Sequence, residues 1–178
     1  MAFVVGSDAN LWQLFWHNSS WSWNNLNRPA GATLVKFVGA ASEVNTKNPF
    51  VYFEGSDNNV WQSAYSGSAF GWVNAGSTPF SSSQGRPAGA AMYGHTAYVF
   101  DPSTSYLYSY GWATTSVLPP TSPALSFPVG AISSAQPNGG GNLNMGNYVA
   151  AVFSDGNLWV SRTFDAINGN TWINNGHP

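Results

Sequence analysis

The sequence predicts an all-β fold: a small β-propeller of about four blades, built from four-stranded antiparallel repeats. Three observations predict it. One short phrase recurs along the chain at about the spacing of a propeller blade. Each clear copy lies between runs that alternate like strands. No stretch has helical periodicity, and 19 Gly and 11 Pro are spread through the 178 residues.

The phrase is Gly6-Ser7-Asp8-Ala9-Asn10-Leu11-Trp12-Gln13, and it returns as Gly55-Ser56-Asp57-Asn58-Asn59-Val60-Trp61-Gln62. A third copy is Phe153-Ser154-Asp155-Gly156-Asn157-Leu158-Trp159. A degenerate copy is Phe100-Asp101, a Pro-Ser-Thr-Ser insertion, then Tyr106-Leu107-Tyr108. Four of the five Asp residues thus read as one repeat position, at spacings of 49, 44 and 54 residues. In each unit a strand precedes the Asp turn and another follows it. Ala2-Phe3-Val4-Val5 and Leu11-Trp12-Gln13-Leu14-Phe15-Trp16 form the first such hairpin. Asp and Asn suit the left-handed backbone of these turns, and Gly156 adopts it freely.

A second phrase sets the same period. Arg28-Pro29-Ala30-Gly31-Ala32 matches Arg86-Pro87-Ala88-Gly89-Ala90, and Phe127-Pro128-Val129-Gly130-Ala131 is a weaker copy. A further strand is expected after each. Each copy follows an aromatic segment: Trp21-Ser22-Trp23, Phe70-Gly71-Trp72 and Tyr110-Gly111-Trp112, with Thr171-Trp172-Ile173 as a fourth. The chain reads as a single repeat domain over 1–178, with units at roughly 1–30, 31–87, 88–128 and 129–178. Residues 136–142 read as a flexible hairpin loop. About fifteen strands are expected. The first unit lacks its opening strand, and the sequence ends at Gly176-His177-Pro178, where the next such phrase would begin. Either a four-bladed ring closes imperfectly or chains associate to complete it, because an unfilled blade leaves an unpaired edge. An eight-stranded sandwich is the alternative fold.

Composition narrows the function. Charged residues make up 7% of the chain, with 5 cations, 7 acids and a net charge of -2, against about 25% charged in an average domain. Five cations do not build a groove that tracks nucleic-acid phosphates. There is no polybasic cluster for an anionic membrane and no apolar run long enough to span one. The start, MAFVVGSDAN, lacks the basic and apolar regions of a signal peptide. The expected location is cytoplasmic or non-classically released, and membrane insertion is not expected. With no Cys there is no disulfide framework or thiolate site. Polar character comes from 23 Ser and 19 Asn, which suit neutral polar ligands.

The phrases G-S-D-x-N-L-W and W-x-W resemble the repeats of β-propeller lectins of the tectonin and tachylectin type, and of related fungal and bacterial propeller lectins. The resemblance covers essentially the whole chain as repeated short motifs. It implies a multivalent lectin with sugar sites between neighbouring blades; release without a signal peptide would suit a defence role. Aleuria-type fucose lectins pair Arg and Glu at each site. Here the two Glu, Glu43 and Glu54, show no such repeated pairing, so that mode of fucose binding is not expected.

The candidate residues each have a structural and a functional reading. Asp8, Asp57 and Asp155, with Asp101, either cap their own turns or accept charge-assisted hydrogen bonds from sugar hydroxyls. Trp12, Trp61, Tyr108 and Trp159 either pack between blades or stack on the apolar face of a sugar. Trp16, Trp23, Trp72, Trp112 and Trp172 lie nearer outer strands and loops. Nine Trp exceed what a core fills, so some are exposed. Arg28 and Arg86 share a repeat position and offer forked donors. His17, His95 and His177 have no metal-ligand spacing, so neither a metal nor another cofactor is expected.

A catalytic reading lacks positioned acids and bases. Gly169-Asn170-Thr171-Trp172 matches the tail of the aspartate box of sialidase propellers, but the preceding residues do not complete it. The expected function is therefore non-enzymatic: neutral or N-acetylated sugars held in shallow inter-blade pockets by Trp stacking and Asp or Asn hydrogen bonds. The expected partners are glycans of glycoproteins or glycolipids, with the protein a homo-oligomer. The alternative is a protein-interaction propeller that binds no sugar.

Overall fold

In a computed structural model, the described residues are 1–42, 46–78, 86–91, 96–101, 106–110, 115–118, 132–135, 148–152, 155–162 and 172–176. Fifteen strands and no helix occur among them. Accordingly, no helix there is long and apolar enough to cross a membrane. The loop expected at 136–142, the phrase copy at 127–131 and the insertion at 102–105 lie outside the described residues. So do Glu43, His95, Trp112, His177 and residues 169–171.

The strands form four antiparallel sheets, each a meander in chain order. The first sheet has three strands: β1 (Ala2–Val5), β2 (Leu11–His17) and β3 (Ser20–Asn25). The second comprises β4 (Leu34–Ser42), β5 (Pro49–Gly55), β6 (Asn59–Tyr65) and β7 (Phe70–Ser77). The third comprises β8 (Arg86–Ala91), β9 (Thr96–Asp101), β10 (Tyr106–Tyr110) and β11 (Thr115–Leu118). The fourth comprises β12 (Ile132–Ala135), β13 (Tyr148–Val152), β14 (Leu158–Arg162) and β15 (Trp172–Asn174). The opening strands run side by side, β4 beside β8 and β8 beside β12. The first sheet has no such strand among the described residues, so the outer edge of β1 is unpaired in it. An eight-stranded sandwich does not describe this arrangement. The sheets do not close on one another.

Register makes the units comparable. Trp12 lies opposite Val4, Trp61 opposite Phe53, Tyr108 opposite Val99 and Trp159 opposite Ala151. On that frame Asp8, Asp57 and Asp155 are equivalent. Asp101 is not, because it pairs with Tyr106 at the end of β9, the place that Gly55 holds in the second sheet. Asp101 is buried in a strand rather than placed at the turn position.

The Arg-Pro-Ala-Gly-Ala phrases also separate. Arg28 to Ala32 precede β4, whereas Arg86 opens β8 opposite Phe100. The residue of β4 at that place is Lys36, opposite Glu54. The structural counterpart of Arg86-Pro87-Ala88-Gly89-Ala90-Ala91 is Lys36-Phe37-Val38-Gly39-Ala40-Ala41. Both strands shift register at the same step, between Phe37 and Gly39 and between Pro87 and Gly89. Arg28 and Arg86 therefore do not share a repeat position.

Among the described residues, the first three sheets pack front to back. Alternation along a strand sends neighbouring side chains to opposite faces. Val51, Phe53, Phe70 and Trp72 on the front of the second sheet meet Leu11, Leu26 and Phe3 on the back of the first, with Leu34 between. Phe3 and Phe70 meet edge to face, with ring centres 6.2 Å apart. The back of the second sheet presents Phe50, Tyr52 and Val60 to Ala97, Val99, Tyr108 and Tyr110 on the front of the third. Fully buried side chains of this size each contribute about 1.5–3 kcal/mol of transfer free energy.

The turn after β1 has its third residue in the left-handed region. This is Ala9 at φ 61°, Asn58 at 59° and Gly156 at 77° in the three equivalent turns. Only Ala9 carries a Cβ with no side-chain group to compensate, and such a conformation costs about 1–2 kcal/mol. Part of the relief on changing it to glycine is lost to the freer unfolded chain. Ala9→Gly is expected to stabilise the protein by about 0.5–1 kcal/mol in chemical denaturation, whereas Asn10→Gly is not.

Candidate functional site

Three of the four sheets carry the same clasp. In the first, the backbone N–H of Asn10 donates to Asp8 Oδ1 at 3.1 Å and Asn10 Nδ2 donates to Oδ2 at 3.0 Å. The indole N–H of Trp12 donates to both oxygens at 3.2 Å. In the second, Asn59 donates to Asp57 at 3.2 and 2.7 Å and Trp61 at 3.2 Å. In the fourth, Asn157 donates to Asp155 at 3.0 Å by backbone and amide, and Trp159 Nε1 at 3.0 Å. The phrase S-D-x-N-x-W is thus a set of contacts: the carboxylate closes the turn through Asn and fixes the Trp two residues further on.

These bonds set the electrostatics. The backbone N–H of Asn10, with the Trp12 and Asn10 side chains, holds the Asp8 carboxyl below its ordinary range. For Asp57 and Asp155, partial desolvation pushes upward, but the donors from Asn and Trp outweigh it and the net shift is down. Each carboxylate is committed to intrachain donors on both oxygens. The structure therefore places Asp8, Asp57 and Asp155 as anchors of Trp.

The clasp leaves two kinds of surface. Trp12, Trp61 and Trp159 are half-buried, each with its indole N–H occupied. The Oδ1 of Asn10, Asn59 and Asn157 makes no hydrogen bond among the described residues. A flat apolar plane beside an amide acceptor can bind a ligand that has a hydroxyl donor next to a C–H face. Sequence reasoning singles out the Trp and the Asp but misses these Asn, although Asn holds that place in all three clear copies.

Other predicted residues divide. Trp23, Trp72 and Trp172 are equivalent, opposite Leu14, Ser63 and Ser161. Trp16 belongs elsewhere, because it pairs with Trp21 and corresponds to Tyr65. Trp72 is half-buried and donates its indole N–H to the Leu26 carbonyl at 3.0 Å. Trp16 and Trp23 are exposed, together with Trp21 of the same aromatic segment. Arg28 is exposed in the loop before β4. The backbone of Arg86 lies in β8, and the side chains of Arg86 and Trp172 lie outside the described residues. A second recurrent turn is one that the repeat phrases do not reveal. The Oδ1 atoms of Asn25, Asn74 and Asn174 accept from the N–H of Asn27, Gly76 and Gly176 at 2.8, 2.8 and 2.7 Å.

Glu54 is unlike the clasped acids. It is wholly buried on the back of the second sheet, and neither carboxyl oxygen has a hydrogen-bond partner among the described residues. Burial pushes its pKa up to about 7, against the pull of Lys36 on the neighbouring strand. Across the interface the Tyr110 hydroxyl is likewise buried without a partner, its pKa raised by burial and by the nearby Tyr108, Glu54 and Asp101.

No protein-family model matches this chain, and no curated protein matches it.

The clasp and the buried acid can each be probed by substitution. A Cβ on Gly55 would lie 2.9 Å from Trp61 Cδ1 and would also meet Asp57 Oδ1, so Gly55→Ala obliges the second sheet's clasp to shift. It should cost about 1–3 kcal/mol of unfolding free energy, the usual range for overpacking. Gly71→Ala, with open space around it, serves as the control. The folded Glu54 holds its proton more tightly than the unfolded one, so the native state binds more protons between pH ~4.5 and ~7. Stability should therefore fall as pH rises through that window and level off above it. Glu54→Gln should remove the fall in denaturation curves measured across the range.

Proposed function

We propose that this chain is a carbohydrate-binding protein: a multivalent lectin on a small β-propeller of about four blades that recognises neutral or N-acetylated sugars. One observation carries the proposal. The same half-exposed indole, fixed by a carboxylate and flanked by an amide oxygen, recurs in three sheets as Trp12, Trp61 and Trp159. An aromatic plane needed only for packing would not have to keep part of its face in solvent at each occurrence. The propeller part of the reading is supported by the four meanders, their side-by-side opening strands and their front-to-back packing.

Each indole would stack on the C–H face of a pyranose, and Asn10, Asn59 and Asn157 would accept from its hydroxyls. The Asp residues act one step back, holding the ring plane at a fixed tilt. Low charge suits this chemistry, because neutral sugars gain little from a strong field. A single shallow site of this kind binds at about millimolar strength, near -4 kcal/mol. Three sites engaging one glycan-bearing surface gain further orders of magnitude by effective concentration.

The test is a glycan array with the labelled protein. Selective binding that free monosaccharide abolishes is expected. Trp61→Ala and Trp159→Ala should each weaken binding to a dense glycan surface by about tenfold or more and reduce the number of sugars bound per chain. A blank array with folded protein, or binding unmoved by the triple Trp12, Trp61 and Trp159 substitution, overturns the reading.

A further inference from the structure

The front of the first sheet and the back of the fourth are left unmatched. The front of the first sheet carries Trp16, Trp21 and Trp23, which are 58%, 59% and 56% exposed. Their counterparts on the second sheet, Tyr65, Phe70 and Trp72, are half-buried, and Phe70 and Trp72 pack against the back of the first sheet. Val4 is also exposed there, whereas its counterpart Phe53 is buried. On the fourth sheet, Leu158 corresponds to Leu11 and Val60. Those two are wholly buried under the following sheet, while Leu158 is 37% exposed. Val160 is half-buried where Gln13 and Gln62 are buried.

The protein contains its own template for joining two such faces. Between the first and second sheets, Phe70 and Trp72 of the front enter a back formed by Phe3, Leu11 and Leu26. The Trp72 indole N–H ends on the Leu26 carbonyl. The Trp23 indole is the counterpart of that donor, and it meets no acceptor among the described residues. Asn175 is the counterpart of Leu26. Leu26 N–H donates to Leu11 O as Asn175 N–H donates to Leu158 O, and Asn27 and Gly176 accept from Leu11 and Leu158 in turn.

We propose that the exposed Trp face of the first sheet, which does not close onto the fourth sheet of its own chain, docks on the open back of the fourth sheet of a second copy. The contact continues the front-to-back stacking already present within the chain. Trp23 takes the role of Trp72, donating to the Asn175 carbonyl, and Leu158 takes the role of Leu11. The contact is head-to-tail, so each copy keeps one donor face and one acceptor face, and assembly ends by closing a ring of copies or grows as a filament. The proposal does not rest on glycan binding.

Light scattering on the purified full chain over a wide concentration range tests it. The wild type is expected to reach at least twice the monomer mass, with Trp emission shifting to the blue as it associates. Leu158→Arg, and separately the double change Trp16→Ser with Trp23→Ser, should each stay monomeric with near-native far-UV circular dichroism. Mixed in equal amounts, the two variants should form one-to-one dimers that grow no further, because each supplies the face that the other lacks. A wild type monomeric at every concentration overturns the proposal. So does a Leu158→Arg protein that associates as well as the wild type, which would point to Trp face on Trp face.

Discussion

The structure depends on one carboxylate in each of three sheets. A β-hairpin whose turn places a non-glycine residue in the left-handed region is poorly specified by backbone alone. Here the Asp side chain supplies the missing constraint. It accepts from the backbone and side chain of Asn two residues on, and from the indole two residues beyond that. Turn geometry and the orientation of the largest side chain in the unit are therefore set together. In the first two sheets the clasp folds back over Gly6 and Gly55 and leaves no room for a Cβ there, whereas the fourth sheet's copy of the phrase has Phe153 at that place. The third sheet is built without the clasp, and its hairpin differs accordingly. It ends in a buried Asp101 opposite Tyr106, and Tyr108 stands where the others carry Trp.

Because the clasp fixes which face each Trp presents, the sheets that carry it acquire two unlike faces. The front is aromatic and partly polar. The back carries Leu11 in the first sheet and Phe50, Tyr52 and Val60 in the second. Unlike faces stack in one direction only, and a stack that does not close into a ring leaves one face of each kind over. The exposed Trp trio and the exposed Leu158 are these two remainders, not independent accidents of surface composition. The chain also tolerates polar groups inside the stack. Glu54 and Tyr110 sit unpaired between the second and third sheets, a cost that sheet-on-sheet apolar contact offsets.

Much of this was legible in the sequence. Alternation and turn chemistry predicted an all-β chain of about fifteen strands with an incomplete first unit, and the Asp turns fell where three of the four copies suggested. The errors share a physical cause. Arg28 and Arg86 looked equivalent because Pro, Ala and Gly recur readily in connections, whereas equivalence is decided by hydrogen-bond register. That register turns on a bulge before Gly39 and Gly89, which string matching does not register. Asp101 looked like a turn residue because its neighbours resemble the phrase, yet strand pairing extends through it. Trp16 was grouped with Trp23 by proximity, although the β2–β3 hairpin pairs it with Trp21. The Asn25, Asn74 and Asn174 turns stayed hidden because their left-handed residue is Asn27 in one unit and Gly in two others.

The clasp also limits what the surface can recognise. A carboxylate with both oxygens committed has little left for a ligand's hydroxyls, and the indole N–H is spent on it as well. What remains in three sheets is a ring face and an amide oxygen, neither of which rewards an anionic partner. In a protein with 7% charged residues, with Asp8, Asp57 and Asp155 bound up in turns and Glu54 in the core, specificity rests on shape and on neutral hydrogen bonds. Such recognition is weak at one site and gains strength by repetition. A second layer of repetition, by stacking whole chains through their remaining faces, multiplies the same plane-and-amide unit without any new chemistry.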